Sequence, residues 1–251
     1  MEARALLDVQ QLTKRYGAGD LVLRGVDLQV RAGECVVMLG SNGSGKSTLL
    51  RCIVGLHAPT SGRIVAGGND LTALSGPSLR RARRSVAMVF QQARLVGRRS
   101  ALVNVACGAL GRHDAPATKL GMVPAAEVDA ARAHLRTVGL EALAGQRAGT
   151  LSGGQAQRVS IARALAQRPA VILADEPVAS LDPEAAEDVM RLLRRLAGDG
   201  LAVLCVLHQP DLAARHAHRI VGLRDGRIAF DVAADRVEPQ DVARLYAGVA
   251  A

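Results

Sequence analysis

Aromatic residues are nearly missing from this chain of 251 residues, which has two Tyr, two Phe and no Trp. The hydrophobic 49% must therefore pack from Ala, Val, Leu and Ile, and a nucleic-acid surface built on base stacking has no rings to use. Lysine is scarce as well, present only as Lys14, Lys46 and Lys119, so arginine carries the net charge of +9. A basic surface attracts polyanions. Without stacking rings, the charge reads as a compositional bias towards Arg and Ala, and no nucleic-acid partner is expected. Cys35, Cys52, Cys107 and Cys205 lie far apart with no CxxC pair, which argues against a metal ribbon and predicts reduced, buried thiols. No apolar run approaches the ~18 residues of a membrane span, and Met1–Leu12 has no signal-peptide layout. A soluble, cytoplasmic chain is expected. The sequence has no internal repeat or low-complexity tract, and its length fits one large domain or a core with a modest insertion.

What is present begins with Gly40-Ser41-Asn42-Gly43-Ser44-Gly45-Lys46-Ser47-Thr48. An apolar run, Cys35–Leu39, precedes it and reads as a buried strand; Leu49–Val54 follows with helical residue types. Strand, glycine-rich loop and helix in the order GxxxxGK[ST] make a P-loop. Glycines let backbone N–H groups converge on an anion, the helix N-terminus adds partial positive charge, and Lys46 adds a full one. Ser47 offers a hard oxygen for Mg²⁺. The loop is predicted to bind a nucleoside triphosphate.

Leu6–Leu12 and Leu21–Val30 read as a hairpin around a turn at Gly17–Asp20. Short strands are predicted at Arg63–Ala66, Ser85–Phe90, Ala170–Ala174, Leu201–Leu207, Arg219–Leu223 and Arg227–Phe230, the last two joined by Asp225-Gly226. Ala101–Leu110 and Ala125–Val138 have helical character around a loop at 111–124, and a helix starts at Pro183 with Asp182 as its N-cap and Gly198 near its end. The chain therefore reads as an α/β nucleotide-binding core, about 1–91 and 166–230, interrupted by a helical insertion at about 92–165 and followed by a short tail at 231–251.

Two further stretches carry chemistry. Val171–Ala174 is an apolar strand delivering Asp175 and Glu176 at its carboxyl end, where ligands of open α/β sheets sit. Side chains alternate along a strand, so the two carboxylates cannot share a role. Asp175 suits Mg²⁺, and Glu176 is left to orient and deprotonate a water attacking the γ-phosphate. Leu151-Ser152-Gly153-Gly154-Gln155 opens a helix over Ala156–Ala166, with Ser152 able to cap it and free N–H groups able to receive another phosphate.

GSNGSGKST, LSGGQ continuing as AQRVSIARAL, and ILADEP followed by SLD together resemble the ATP-binding subunit of an ABC transporter, from about Leu7 to Phe230. The resemblance implies a P-loop NTPase (RecA-like) core with an N-terminal antiparallel β subdomain and an inserted α-helical signature subdomain. It also implies a head-to-tail homodimer, each ATP lying between one subunit's P-loop and the other's Ser152, Gly153, Gly154 and Gln155. Gln91 resembles the Q-loop glutamine that reaches Mg²⁺ and the attacking water. His208 resembles the switch histidine at the γ-phosphate, Asp182 the D-loop aspartate, and Tyr16 the ring stacked on adenine. Mg²⁺ would be held by Ser47, Gln91 and Asp175. The partners implied are two transmembrane permease subunits and, indirectly, a periplasmic or extracellular substrate-binding protein, with the chain peripheral to the cytoplasmic face of the inner membrane.

Local strings narrow the resemblance. Gln146-Arg147-Ala148, Asn104-Val105 with Gly108–Arg112, Leu207-His208-Gln209 and Phe230-Asp231 are similar to the phosphonate-import branch, which also handles phosphite and related anions. Gln92-Ala93-Arg94-Leu95 departs from the pair usual after the Q-loop, and Ala156 from a common Gln. Alternatives are the ATPase of another ABC transporter or a nucleic-acid-linked ABC ATPase, though long arms and a second cassette are missing. A binding protein with inactive ATPase parts is disfavoured, because Lys46, Gln91, Asp175, Glu176 and His208 are all present. Residues 77–99 contain seven arginines and no carboxylate, and some are expected to face the permease or the anionic leaflet. The twenty or so residues after Phe230 are too few for a separate regulatory domain.

Overall fold

A computed structural model of the chain describes residues 4–113, 118 and 122–246. Two sheets organise it. The first is antiparallel: β1 (Ala5–Arg15), β2 (Leu21–Arg31), β4 (Ser61–Ala66) and β5 (Asn69–Asp70), in the order β2-β1-β4-β5. The hairpin strands outrun the predicted alternation because register shifts, with Gln11 at φ 45°, absorb breaks in the pattern. The second sheet is built on β3 (Cys35–Leu39), β6 (Val86–Val89), β7 (Val171–Asp175), β8 (Ala202–Val206), β9 (Arg219–Arg224) and β10 (Arg227–Ala233), in the order β10-β9-β3-β8-β7-β6. All its pairings are parallel except β9 with β10.

Both faces of the second sheet are covered, so its inner strands read as continuous apolar runs. Cys35, Val37 and Leu39 face one core with Ile172, Ala174, Val203 and Cys205; Val36 and Met38 face a second core with Leu173, Leu204 and Val206. The first core is closed by α3 (Ala101–Ala106), α4 (Ala125–Thr137), α5 (Gly153–Ala166), α6 (Pro183–Gly198) and α7 (Pro210–His216). The second lies against α1 (Lys46–Ile53), α2 (Gly76–Ala82) and the antiparallel sheet. Val189, Leu192, Leu193 and Leu196 form the buried stripe of α6, and Asp182 Oδ1 accepts from Ala185 N at 2.9 Å. Cys35, Cys52 and Cys205 are buried, and burial raises their thiol pKa values, Cys35 to about 12; Cys107 is only half-buried.

Some elements differ from the sequence reading. Helical structure at 101–110 divides into α3 and a 3₁₀ segment, Cys107–Arg112, and half of the loop expected at 111–124 falls outside the described residues. α2 and α7, with seven residues each, are too short to declare a period. The stretch expected as a tail completes β10 and forms α8 (Pro239–Tyr246), which buries Leu245. A proline at the first helical position and an aspartate in the first turn mark α7 and α8 in the sequence. No described helix is long and apolar enough to cross a membrane.

Candidate active site

β3 ends at Leu39, and the chain turns back into α1 through residues only glycine can serve. A Cβ on Gly40 would lie 2.4 Å from the Leu223 carbonyl oxygen of β9, and Gly45 at φ 107° would meet Leu23 at 2.9 Å. The turn aims Lys46 back under the loop. Its ammonium donates to the carbonyl oxygens of Gly40 at 2.7 Å and Ser41 at 2.9 Å. Burial lowers the Lys46 pKa from the usual lysine value, while Glu176 and Asp175 push it back up. Asn42, Gly43, Ser44, Gly45, Ser47 and Thr48 line a cavity of about 220 Å³ over this loop, together with Lys46, Val22 and Glu176. The Ser44 hydroxyl is buried and has no partner among the described residues. An unsatisfied donor beside convergent glycine N–H groups and a desolvated ammonium is a fit for phosphate oxygens.

β7 lies one strand away from β3, across β8, and delivers the carboxylates to the same edge. Ser47 Oγ donates to Asp175 Oδ1 at 3.4 Å. The Asp175 pKa is raised, first by burial and then by the charge of Glu176, against the Ser47 hydrogen bond, Arg51 and Lys46. A half-buried carboxylate with a raised pKa, beside a hydroxyl, is the hard-oxygen chemistry that suits Mg²⁺. A second cavity of about 500 Å³ shares Ser47 and Glu176 with the first and adds Arg51, Gln91, Gln92 and Asp175.

Glu176 is left-handed at φ 48°, a conformation that costs about 1–3 kcal/mol in a non-glycine residue and concentrates at functional sites. Its N–H donates to the Val206 carbonyl at 3.2 Å, fixing it where β7 ends beside β8. His208 follows β8, and its Nε2 lies 2.5 Å from Glu176 Oε1. Gln91 therefore shares a cavity with Asp175 and Glu176, and His208 bonds to Glu176.

Ser152, Gly153, Gly154 and Gln155 line neither cavity. They form the start of α5, where Ser152 Oγ accepts from Gln155 N at 3.3 Å and Gln155 Oε1 accepts from Ser152 N at 3.0 Å. A Cβ on Gly154 would sit 2.9 Å from Ala185 Cβ, so this glycine lets α5 lie tightly on α6. Tyr16 also lies outside both cavities, and Val22 is the hairpin residue over the P-loop. The Tyr16 hydroxyl is 2.6 Å from His57 Nδ1, and Lys14 Nζ sits 4.9 Å from the ring centroid.

Two residues of the signature helix hold the Q-loop and a third, just past its end, holds the start of β6; the sequence reading assigned them no role. Gln157 Nε2 donates to the Phe90 carbonyl at 3.0 Å, and Arg163 donates to the carbonyls of Ala93 and Arg94 at 2.8 Å each. Gln167 Nε2 donates to the Val86 carbonyl at 2.7 Å at the other end of β6. Gln157 and Arg163 lie within AQRVSIARAL, but only the fold reveals that their targets are backbone oxygens some 70 residues earlier.

The family model described as "ABC transporter" matches residues 23–179. The chain belongs to the ABC transporter family. It is the ATP-hydrolysing kind of subunit in that family, with the P-loop cassette fold. A phosphonates import ATP-binding protein PhnC from Nocardia farcinica is 49% identical over 97% of this chain and 91% of its own length. The PhnC of the same description from Frankia casuarinae is 52% identical over 94% and 93%. A phosphate-import ATP-binding protein PhnC from Mycolicibacterium smegmatis is 51% identical over 94% and 90%. Among solved structures, a nucleotide-free ABC transporter cassette superposes with a TM-score of 0.85 at 26% identity, covering 98% of this chain and all of that one. A dimeric bacterial ABC transporter cassette gives 0.77 at 34%, covering 91% and 98%. ABC cassettes thus form dimers, and ABC import systems pair them with a permease.

Proposed function

We propose that this ABC ATPase hydrolyses MgATP to drive import of a phosphorus oxyanion, a phosphonate or one of its close relatives phosphite and phosphate, through a separate permease. The observation that carries the ATPase reading is the Glu176–His208 pair, 2.5 Å apart beside the Lys46 loop. Lys46, Ser44 and the glycine N–H groups bind the phosphates. Ser47 and Asp175, with Gln91, would hold Mg²⁺, which supplies charge neutralisation between phosphate oxygens. Glu176 takes the proton of the attacking water, and His208 orients that carboxylate and meets the γ-phosphate.

The composite site needs a second copy. Ser152–Gln155 stand outside the cavities of their own chain, with the N-terminus of α5 presented outward, which fits a head-to-tail dimer in which they cap the partner's ATP. Asp182, at the neighbouring N-terminus of α6, would couple the two sites, and Tyr16 would stack on adenine once nucleotide draws it from His57. Two permease subunits and an external substrate-binding protein complete the assembly, with this chain peripheral to the cytoplasmic face of the inner membrane.

The permease would dock beside the Q-loop. Leu56, Val96 and Val103 are exposed apolar side chains there, and Arg98 and Arg99 are exposed next to Val96. Reversing both, Arg98→Glu with Arg99→Glu, is expected to cut recovery of the detergent-solubilised permease complex at least tenfold while the isolated subunit keeps its nucleotide affinity. Undiminished recovery rejects this docking surface.

The substrate assignment draws on the sequence relatives, since the translocation path lies in the permease and not in an ATPase subunit. Labelled methylphosphonate, phosphite and phosphate should be offered to phosphate-starved cells lacking this chain. Wild type is expected to restore uptake of at least one of these anions, and Glu176→Gln to restore none. Uptake unaffected by loss of the chain, in a strain with no second importer, removes the substrate assignment and leaves the ATPase intact.

A further inference from the structure

A cleft remote from the nucleotide site lies between α6 and the junction of α4 with the chain that follows it. Its volume is about 270 Å³, below the ~300–1,000 Å³ of pockets for drug-sized ligands and suited to a small ion. Arg136, Arg158, Arg191 and Arg195 line it, with Asp188 the carboxylate among its lining residues. Three of these guanidiniums are engaged. Arg136 forks onto Glu141 at 2.7 and 2.6 Å, Arg191 meets Asp188 at 3.1 Å, and Arg195 Nη2 donates to the Thr137 carbonyl at 2.9 Å.

Arg158 is different. It is half-buried on α5, and its guanidinium has no hydrogen-bond or ion-pair partner among the described residues. The backbone opposite is Gly139 at φ 71°, where even a Cβ would stand 4.0 Å from Arg158 Nη1. Neither Asp188, taken by Arg191, nor Glu141, taken by Arg136, neutralises it. A half-buried guanidinium is a planar fork of donors in a medium where each charge-assisted hydrogen bond counts for more than in water. Four guanidiniums against the two carboxylates that engage them, Asp188 and Glu141, leave an excess of two positive charges, which one dianion would offset.

We propose that this cleft is a binding site for a tetrahedral phosphorus oxyanion, inorganic phosphate or an alkylphosphonate, held by Arg158 with Arg191 and Arg195. The site takes its charge logic from the cleft alone; the alkylphosphonate as ligand rests on the import reading above. Its position gives it a use. Arg158 stands on the helix that opens with Ser152-Gly153, while Arg191 and Arg195 stand on the helix that opens with Asp182. A bound anion ties these two helices together, so product arriving in the compartment of this subunit would bear on how the signature and the D-loop sit relative to each other.

The test must exclude the P-loop, which also takes phosphate. Titration calorimetry in a Lys46→Ala background, with phosphate, methylphosphonate and, separately, anionic phosphatidylglycerol vesicles, is expected to give saturable binding of one small anion per chain. Adding Arg158→Gln should weaken that binding at least tenfold, and Arg191→Gln should weaken it in the same direction. Arg158 has no partner to lose among the described residues, so the melting temperature by circular dichroism should stay within about 2 °C of that of the Lys46→Ala parent. Absence of small-anion binding, binding indifferent to Arg158→Gln, or binding of vesicles only would each overturn the proposal. If uptake of phosphorus anions fails while phosphate still binds here, the import reading falls and the site stands.

Discussion

Replacing Glu176 by Gln is expected to reduce ATP turnover by about 10²–10⁴-fold while nucleotide affinity stays within about threefold. The amide keeps the shape of the carboxylate and can still hydrogen-bond to His208, whose Nε2 lies 2.5 Å from Oε1 in the native chain. It cannot take a proton from water. The backbone at φ 48° is tied by the Val206 carbonyl and tolerates Gln as well as Glu, so the fold around the site should survive. The affinity side follows from position: Glu176 contributes negative charge beside Lys46, and losing that charge does not remove a phosphate donor. Steady-state phosphate release with equilibrium binding of a fluorescent ATP analogue separates the two effects. Turnover within tenfold of wild type would mean that Glu176 is not the base.

The parts of this site legible in sequence are those that local geometry dictates. A P-loop is a strand, a turn and a helix start within a dozen residues, so Gly40, Gly45, Lys46 and Ser47 announce themselves through conformational need and anion chemistry. Asp175 and Glu176 do so because they end an apolar strand at its carboxyl edge, where ligands of α/β sheets sit, downstream of a P-loop. The fold was legible in the same way: inner strands read as unbroken apolar runs because both faces of the sheet are covered. β10 and α8 extend past the expected end of the core because pairing to β9 and burial of Leu245 are tertiary effects that no short window contains.

What stayed hidden depends on long-range placement. The Glu176–His208 contact joins residues 32 apart, and the strand order that brings them together does not follow from either segment. The grip of Gln157 and Arg163 on the Q-loop uses backbone acceptors, which have no sequence signature. Tyr16 illustrates the opposite limit. A family position suggests an adenine platform, yet its hydroxyl is engaged by His57 and the ring lies outside the cavities around the P-loop. The arginines of residues 77–99 drew notice as a run, whereas the cleft around Arg158 gathers its charges from three separate elements and shows no run at all.

Lys46→Ala is expected to raise the ATP dissociation constant by about 30- to 4,000-fold, the range corresponding to about 2–5 kcal/mol for deleting one partner of a buried, hydrogen-bonded charge pair. The size of the effect comes from the surroundings. Lys46 is only 5% exposed, and its ammonium acts with Arg51 as the positive charge facing Asp175, and on Glu176 beside it. Without it, a polyphosphate would enter a site holding two carboxylates and no lysine, so repulsion adds to the lost hydrogen bonds. Stability of the free protein should move in a different way. Burial already disfavours the charged ammonium, as its lowered pKa records, so truncation relieves a desolvation cost while leaving the Gly40 and Ser41 carbonyls without their donor. These effects oppose each other, and the nucleotide-free melting temperature should change little. Wild type with MgATP at 100 times its dissociation constant should gain about 2.7 kcal/mol of stability, and the variant at the same nucleotide concentration well under half of that. Lys46→Arg should not rescue binding, because a planar guanidinium cannot fill the volume of an ammonium already in contact with two carbonyls at 2.7 and 2.9 Å. An undiminished thermal shift in Lys46→Ala would mean that the phosphates are held by the backbone nest alone.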